Sequence, residues 1–273
     1  MTSAAQAVLL GVVQGLTEFL PVSSSAHLLL VPRALGWPDP GAAFTAVTQL
    51  GTEAAVLLYF RRDLTSVVLA WLRGLRRRDA RDTDGWRLGW ALIIGTVPIG
   101  VAGLALQSVI TGSVRRNLPL IAVALIAVGV LLAVTDRVAR ARRTLDSVTW
   151  RQGAVLGAAQ ATALVPGVSR SGATISAALA LGLDRPSATR LSFLLAVPAV
   201  VLAGVFNLPD IAGGGPGNGP GGGVTLLATA VAFAVGYASI AGLLRFVTRH
   251  SFAVFAAYRV LLGIGILTVL QLT

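Results

Sequence analysis

Between residues 14 and 27 the sequence sets an amide (Gln14), a carboxylate (Glu18), three consecutive hydroxyls (Ser23, Ser24, Ser25) and an imidazole (His27) in an otherwise apolar stretch. A serine, His27 and Glu18 within ten residues can supply a nucleophile, a proton carrier and an orienting acid. Glu18 follows Gln14 by four residues, so the two share a helical face. A carboxylate there can act as base, ligate a metal ion or pair with a cation. A second polar cluster runs Pro166-Gly167-Val168-Ser169-Arg170-Ser171-Gly172-Ala173-Thr174. Its arginine carries a planar fork whose donors match phosphate oxygens in pairs. Ser23 and Ser169 are expected to cap short helices with their hydroxyls, leaving amides and a helix dipole for an anion. Gly167 and Gly172 are expected to let backbone approach a ligand. With Gln14, Ser25, Ser171 and Thr174 as further donors, the pattern describes a phosphate or pyrophosphate pocket. An alternative stays open, in which Arg170 does nothing but pair with Glu18. Gln49 and Glu53, one turn apart, are placed evenly between the same cavity and a plain span.

The elements that position these groups belong to a membrane. Of the 273 residues, 55% are hydrophobic and 12% charged, where a soluble domain carries about a quarter charged residues. No cysteine is present, which excludes disulfides, thiolate catalysis and thiolate metal sites. All 22 basic residues are arginine, which excludes Schiff-base chemistry and a P-loop lysine. Two histidines, His27 and His250, exclude a histidine-rich metal cluster, and His250 is expected to be a surface residue.

Six apolar stretches, 41–60, 88–107, 117–135, 188–207, 224–244 and 252–270, are each about as long as a bilayer core requires. Two further apolar regions, 4–35 and 153–183, are broken at the polar clusters, and their halves are too short to cross. They are expected to be re-entrant helical hairpins. The arginines orient this layout. Eight lie in 61–87 and five in 136–151; Arg185, Arg190, Arg245 and Arg249 fall on the same side, against Arg33, Arg115 and Arg116 on the other. The positive-inside rule makes the crowded side cytoplasmic and both termini external. The charge of +11 is therefore a topology signal, with membrane lipid as partner and no nucleic acid. Gly213–Gly223 is expected to be an external linker, and no cleavable signal peptide is expected.

A shift of 146 residues overlays the two breaks: Gly11 on Gly157, Gln14 on Gln160, Val22 on Val168, Ser23 on Ser169 and Ser25 on Ser171. Each hairpin precedes three spans, an odd number of crossings, so the halves (about 1–135 and 150–273) form an inverted repeat in one membrane domain. Broken helices in inverted repeats place their site where the breaks meet. The expected fold is an all-α polytopic membrane protein of about six spanning helices and two re-entrant hairpins. A lipid or anion transporter or flippase shares that signature and is the alternative reading.

The run from Gly11 through Glu18, Pro21 and Ser23-Ser24-Ser25 to His27 resembles the first signature of bacterial undecaprenyl-diphosphatases, the bacitracin-resistance family. Pro166–Thr174 resembles the second. The resemblance implies hydrolysis of undecaprenyl diphosphate to the monophosphate at an outward-facing site in the bacterial cell membrane, recycling the cell-wall lipid carrier. It implies a divalent cation, Mg2+ or Ca2+, and leaves a homodimer open. Carried over by position, Gln14 and Glu18 fill a (Glu/Gln)-x-x-x-Glu element, Ser24 and His27 the catalytic serine and histidine, and Arg170 the phosphate-binding arginine. Gln14 has the amide where many members have a carboxylate, so base and metal duties are expected of Glu18. Ser24 is the preferred nucleophile with His27 as its base; attack by His27 or by water stays open.

Overall fold

The structure is a computed structural model that describes residues 3–106, 113–139, 143–212 and 221–272. Among these residues the chain forms eleven α-helices and no β-strand: α1 (Ala4–Phe19), α2 (Ser24–Ala34), α3 (Gly41–Tyr59), α4 (Arg61–Arg76), α5 (Asp84–Ala105), α6 (Leu118–Val138), α7 (Trp150–Ala161), α8 (Arg170–Ala180), α9 (Arg185–Ala212), α10 (Gly222–Val247) and α11 (Ala253–Leu272). Helices cover all six apolar stretches. Four of them, α5, α6, α10 and α11, are long and apolar enough to cross a membrane by length and composition. Their outward faces carry Val97, Val101, Val123, Val130, Leu261 and Val269, all more than half exposed except Val130 at 50%. Apolar side chains outside, with serines, glutamines and arginines buried inside, invert the pattern of a soluble protein. The chain is an all-α polytopic membrane protein.

The broken regions fold as short helices. α1 and α2 have 16 and 11 residues, α7 and α8 have 12 and 11. At 1.5 Å per residue none of the four reaches the roughly 30 Å of a hydrocarbon core. Sequence sets the starts of α1 and α7, where Ser3 with Gln6 and Thr149 with Gln152 form capping boxes. Each entering helix docks on a long helix of the other half: α1 on α10, and α7 on α5. The repeated glycines make this possible. A Cβ on Gly11 would lie 2.6 Å from the Ala228 carbonyl, and one on Gly157 would lie 2.4 Å from the Gly95 carbonyl. Small residues of this kind let membrane helices approach to backbone contact.

Segment 61–87, expected as a loop because of its eight arginines, is instead largely helical. α4 buries Val67 and Gly74 and leaves Val68, Leu69, Leu72 and Leu75 between 41% and 51% exposed. Gly74 lies under the Trp86 indole, and Trp71, Trp86 and Trp90 pack with centroids 5.7–6.4 Å apart. One apolar stripe with charged ends is the pattern of a helix lying in a membrane interface. Charge density hid that stripe.

Asp39 joins the loop before α3 to Arg115 and Arg116. Burial pushes its carboxyl up, but the Gly41 amide and the two guanidiniums outweigh that and hold it below the usual carboxylate range. Residues 213–220 of the expected glycine-rich linker lie outside the described residues.

Candidate functional site

The two breaks meet. Arg170 at the start of α8 donates to Glu18 Oε1 at 2.7 Å, and the Ser171 hydroxyl donates to the Leu20 carbonyl at 3.3 Å. Arg259 of α11, fully buried, ties them from behind. Its guanidinium donates to Pro21 O (3.1 Å) in the first break and to Gly167 O and Val168 O (2.9 Å each) in the second. It also reaches Leu125 O and Ala124 O of α6. Helix breaks leave carbonyls without intrahelical donors, and a guanidinium in the membrane interior satisfies several at once. Arg259 lies inside the apolar stretch 252–270. Its only signal was the cost of a charge there.

Glu18 is the centre of the polar constellation. Its side chain is 8% exposed and accepts from three donors: Arg170 on Oε1, and the Ser24 hydroxyl (2.7 Å) with the Gln14 amide (3.2 Å) on Oε2. This corrects the expected pairing. Ser24 is hydrogen-bonded to Glu18, not to His27. His27 Nδ1 is 2.7 Å from the Ser23 carbonyl and Nε2 is 2.6 Å from the Tyr258 hydroxyl, so both ring nitrogens are engaged elsewhere. The titratable side chain in contact with Ser24 is the Glu18 carboxylate.

The serines of the breaks divide. Ser23 (φ 77°) and Ser169 (φ 70°) are the two non-glycine residues with positive φ among the described residues. Such conformations cost about 1–3 kcal/mol and persist only where surroundings over-determine them. Ser169 caps α8, accepting from the Gly172 amide at 3.1 Å; Ser23 makes no such bond and faces Ser25 at 3.2 Å, against expectation. The amides of Ser24, Ser25 and Ala26 have no protein acceptor, nor do those of Arg170 and Ser171. Two helix starts with free amides thus flank Glu18, Ser24 and Arg170.

Three residues expected at the phosphate also pack against the scaffold. Thr174 is fully buried and shares its hydroxyl with Arg170 O and Ser192 Oγ. Gly167 (φ 92°) approaches α6, where a Cβ would lie 2.6 Å from the Ile121 carbonyl. A Cβ on Gly172 would stand 3.3 Å from the Arg259 guanidinium, the Ser169 side chain and Val128. Both glycines admit close protein contact. His250 is exposed, its ring stacked on Phe246 at 4.5 Å.

Glu53 lies close enough to Arg170 and Glu18 to feel both charges, and its carboxylate makes no hydrogen bond or ion pair. Its neighbour Thr52 receives the Gln14 amide at 3.4 Å. That leaves Gln14 Oε1 buried without a partner. No group of three or more His, Cys, Asp or Glu that could hold a metal occurs among the described residues. Glu18, Glu53 and the orphaned Gln14 oxygen are hard-oxygen groups of the kind that ligate Mg2+ or Ca2+. A cavity of about 390 Å³ lined by Asp63, Ser187 and Arg190 shares no residue with this constellation.

The sequence has counterparts among known proteins. The family model described as bacitracin resistance protein BacA matches residues 7–265. The chain belongs to the BacA family. A relative from Mycobacterium sp. (strain KMS), named undecaprenyl-diphosphatase, is 54% identical over 267 residues, covering 97% of this chain and 96% of its own. Undecaprenyl-diphosphatase 3 of Frankia alni is 52% identical over 281 residues, 97% and 94% of the two chains. The undecaprenyl-diphosphatase of Thermobifida fusca is 49% identical over 266 residues, 97% and 90%. BacA membership over nearly the whole chain makes this a membrane phosphatase of bacteria.

Proposed function

We propose that the chain hydrolyses undecaprenyl diphosphate to undecaprenyl phosphate and phosphate, at a site reached from the outer face of the membrane. The observation that carries this is the Glu18 carboxylate, which accepts from Ser24 and Arg170 together where two helix starts meet. Arg170 uses one of its five N–H donors on Glu18, leaving the rest of the fork for phosphate oxygens. The free amides of Ser24, Ser25 and Ala26 add donors for the same anion, and stabilising charge as the anhydride breaks is the dominant catalytic contribution.

In the first step Ser24 Oγ attacks the terminal phosphorus while Glu18 takes the hydroxyl proton. The bond from that phosphorus to the bridging oxygen breaks, and undecaprenyl phosphate leaves with the electron pair. Glu18 passes its proton to the departing phosphate, then draws one from the water that attacks the phosphoserine; the phosphorus–Oγ bond breaks, phosphate leaves, and Glu18 returns that proton to Ser24 Oγ. Glu18, Glu53 and Gln14 Oε1 would hold a divalent cation, which when bound supplies further neutralisation of the diphosphate. The direct test is phosphate release from a long-chain prenyl diphosphate by purified protein with Mg2+ or Ca2+. Release is expected; none at any cation concentration would favour the carrier reading.

Access from outside rests on the arginine asymmetry, which places both termini external and α4 at the cytoplasmic surface. The chain has no cysteine, so single cysteines report cleanly. Pro38→Cys, in the exposed loop before α3, is expected to label with an impermeant maleimide on intact cells. Asp79→Cys, beyond α4, is expected to label only after permeabilisation. The opposite pattern would invert the topology and the site's access.

A further inference from the structure

Tyr258 precedes Arg259 on α11 and reaches the first break by a different route. Its hydroxyl is 2.6 Å from His27 Nε2, and the two rings lie 15° from parallel with centroids 5.6 Å apart. The other ring nitrogen faces the Ser23 carbonyl, which can only accept. Nδ1 therefore carries the ring proton, and Nε2 accepts from the phenol. This tautomer has a consequence for the strained turn. At the second break the Ser169 hydroxyl caps α8 and holds its own positive-φ residue in place. At the first break Ser23 has no side-chain cap, yet holds the same conformation immediately before Ser24. The bond from His27 to the Ser23 carbonyl supplies the restraint that the missing cap would have given. Position 173, which overlays His27, is an alanine; the capped break has no such brace.

We propose that Tyr258 is a positioning residue: by anchoring Nε2 it holds the Nδ1–H of His27 on the Ser23 carbonyl, makes that imidazole a brace on the Ser23 turn, and so aims the Ser24 hydroxyl at Glu18. The inference rests on the phosphatase reading for its catalytic consequence. Its structural half does not. A tyrosine hydroxyl that orients an imidazole acts as the outer partner of a metal-bound histidine does, setting tautomer and ring direction through the nitrogen not in use.

The test uses the full chain with 15N-labelled histidine in a His250→Gln background, so that the remaining signals belong to His27. With Tyr258 present, the ring nitrogens are expected to read as a single Nδ1–H tautomer. Tyr258→Phe keeps the ring stack and removes the hydroxyl. It is expected to give a mixture of tautomers and to lower kcat roughly fivefold with KM within about twofold. An unchanged His27 spectrum in Tyr258→Phe would overturn the proposal, as would altered tautomers with unchanged kcat. A rise in KM alone would instead make Tyr258 a substrate contact and also overturn it. If the His250→Gln protein itself releases no phosphate, the phosphatase reading fails, while the spectra still decide whether Tyr258 sets the tautomer.

Discussion

Glu18→Gln is expected to lower phosphate release at least a hundredfold, about 2.7 kcal/mol of transition-state stabilisation. The carboxylate accepts from Arg170, Ser24 and Gln14 at once, and no amide can do that. A glutamine would turn its NH2 towards one of these donors and lose a bond there, and it cannot take the serine proton. The effect should fall on kcat, because Ser24 loses its base whether or not substrate is bound. Gln14→Glu provides the contrast. It adds a carboxylate beside Glu18, where like charges repel unless a cation lies between them. Activity in Gln14→Glu should persist, with steeper dependence on divalent cation. Rates in membranes of matched protein abundance decide the matter. Glu18→Gln turning over like the unaltered protein would remove Glu18 from the chemistry.

Arg170→Lys is expected to cost at least tenfold in kcat/KM, about 1.4 kcal/mol. The substitution keeps the charge in the break, so loss of electrostatic attraction does not explain the deficit. What goes is the planar fork, which lets one side chain hold Glu18 through Nη2 and still present donors to phosphate. A lysine ammonium must choose. The break itself should survive, since Arg259 and the Ser171 hydroxyl tie the two hairpin tips independently of Arg170. Equal kcat/KM in Arg170→Lys, at equal abundance and thermal stability, would show that its role is to pair with Glu18 and nothing more.

Much of this was legible in the chain itself. Apolar runs near bilayer length, two interruptions and a one-sided arginine distribution led to an all-α membrane protein, because a hydrocarbon solvent permits few backbone solutions. Motif spacing put Gln14 and Glu18 on one face and marked Ser24 and Arg170, since chemistry constrains residue types locally. The repeat of Gly11 and Gly157 was visible as identity, though its meaning, contact with a helix of the opposite half, was not. What sequence could not supply was partnership across distance. Ser24 and His27 are three residues apart and looked like a pair, but Ser24 bonds to Glu18, and His27 to the Ser23 carbonyl and to Tyr258, 231 residues away. Arg259 lies 238 residues from Pro21 and 92 from Gly167, and its role exists only where both breaks reach one helix. Thr174 and Gly167 read as ligand contacts because polar and small residues suit a phosphate. They suit tight protein packing equally well, and which neighbour arrives is decided by tertiary structure alone.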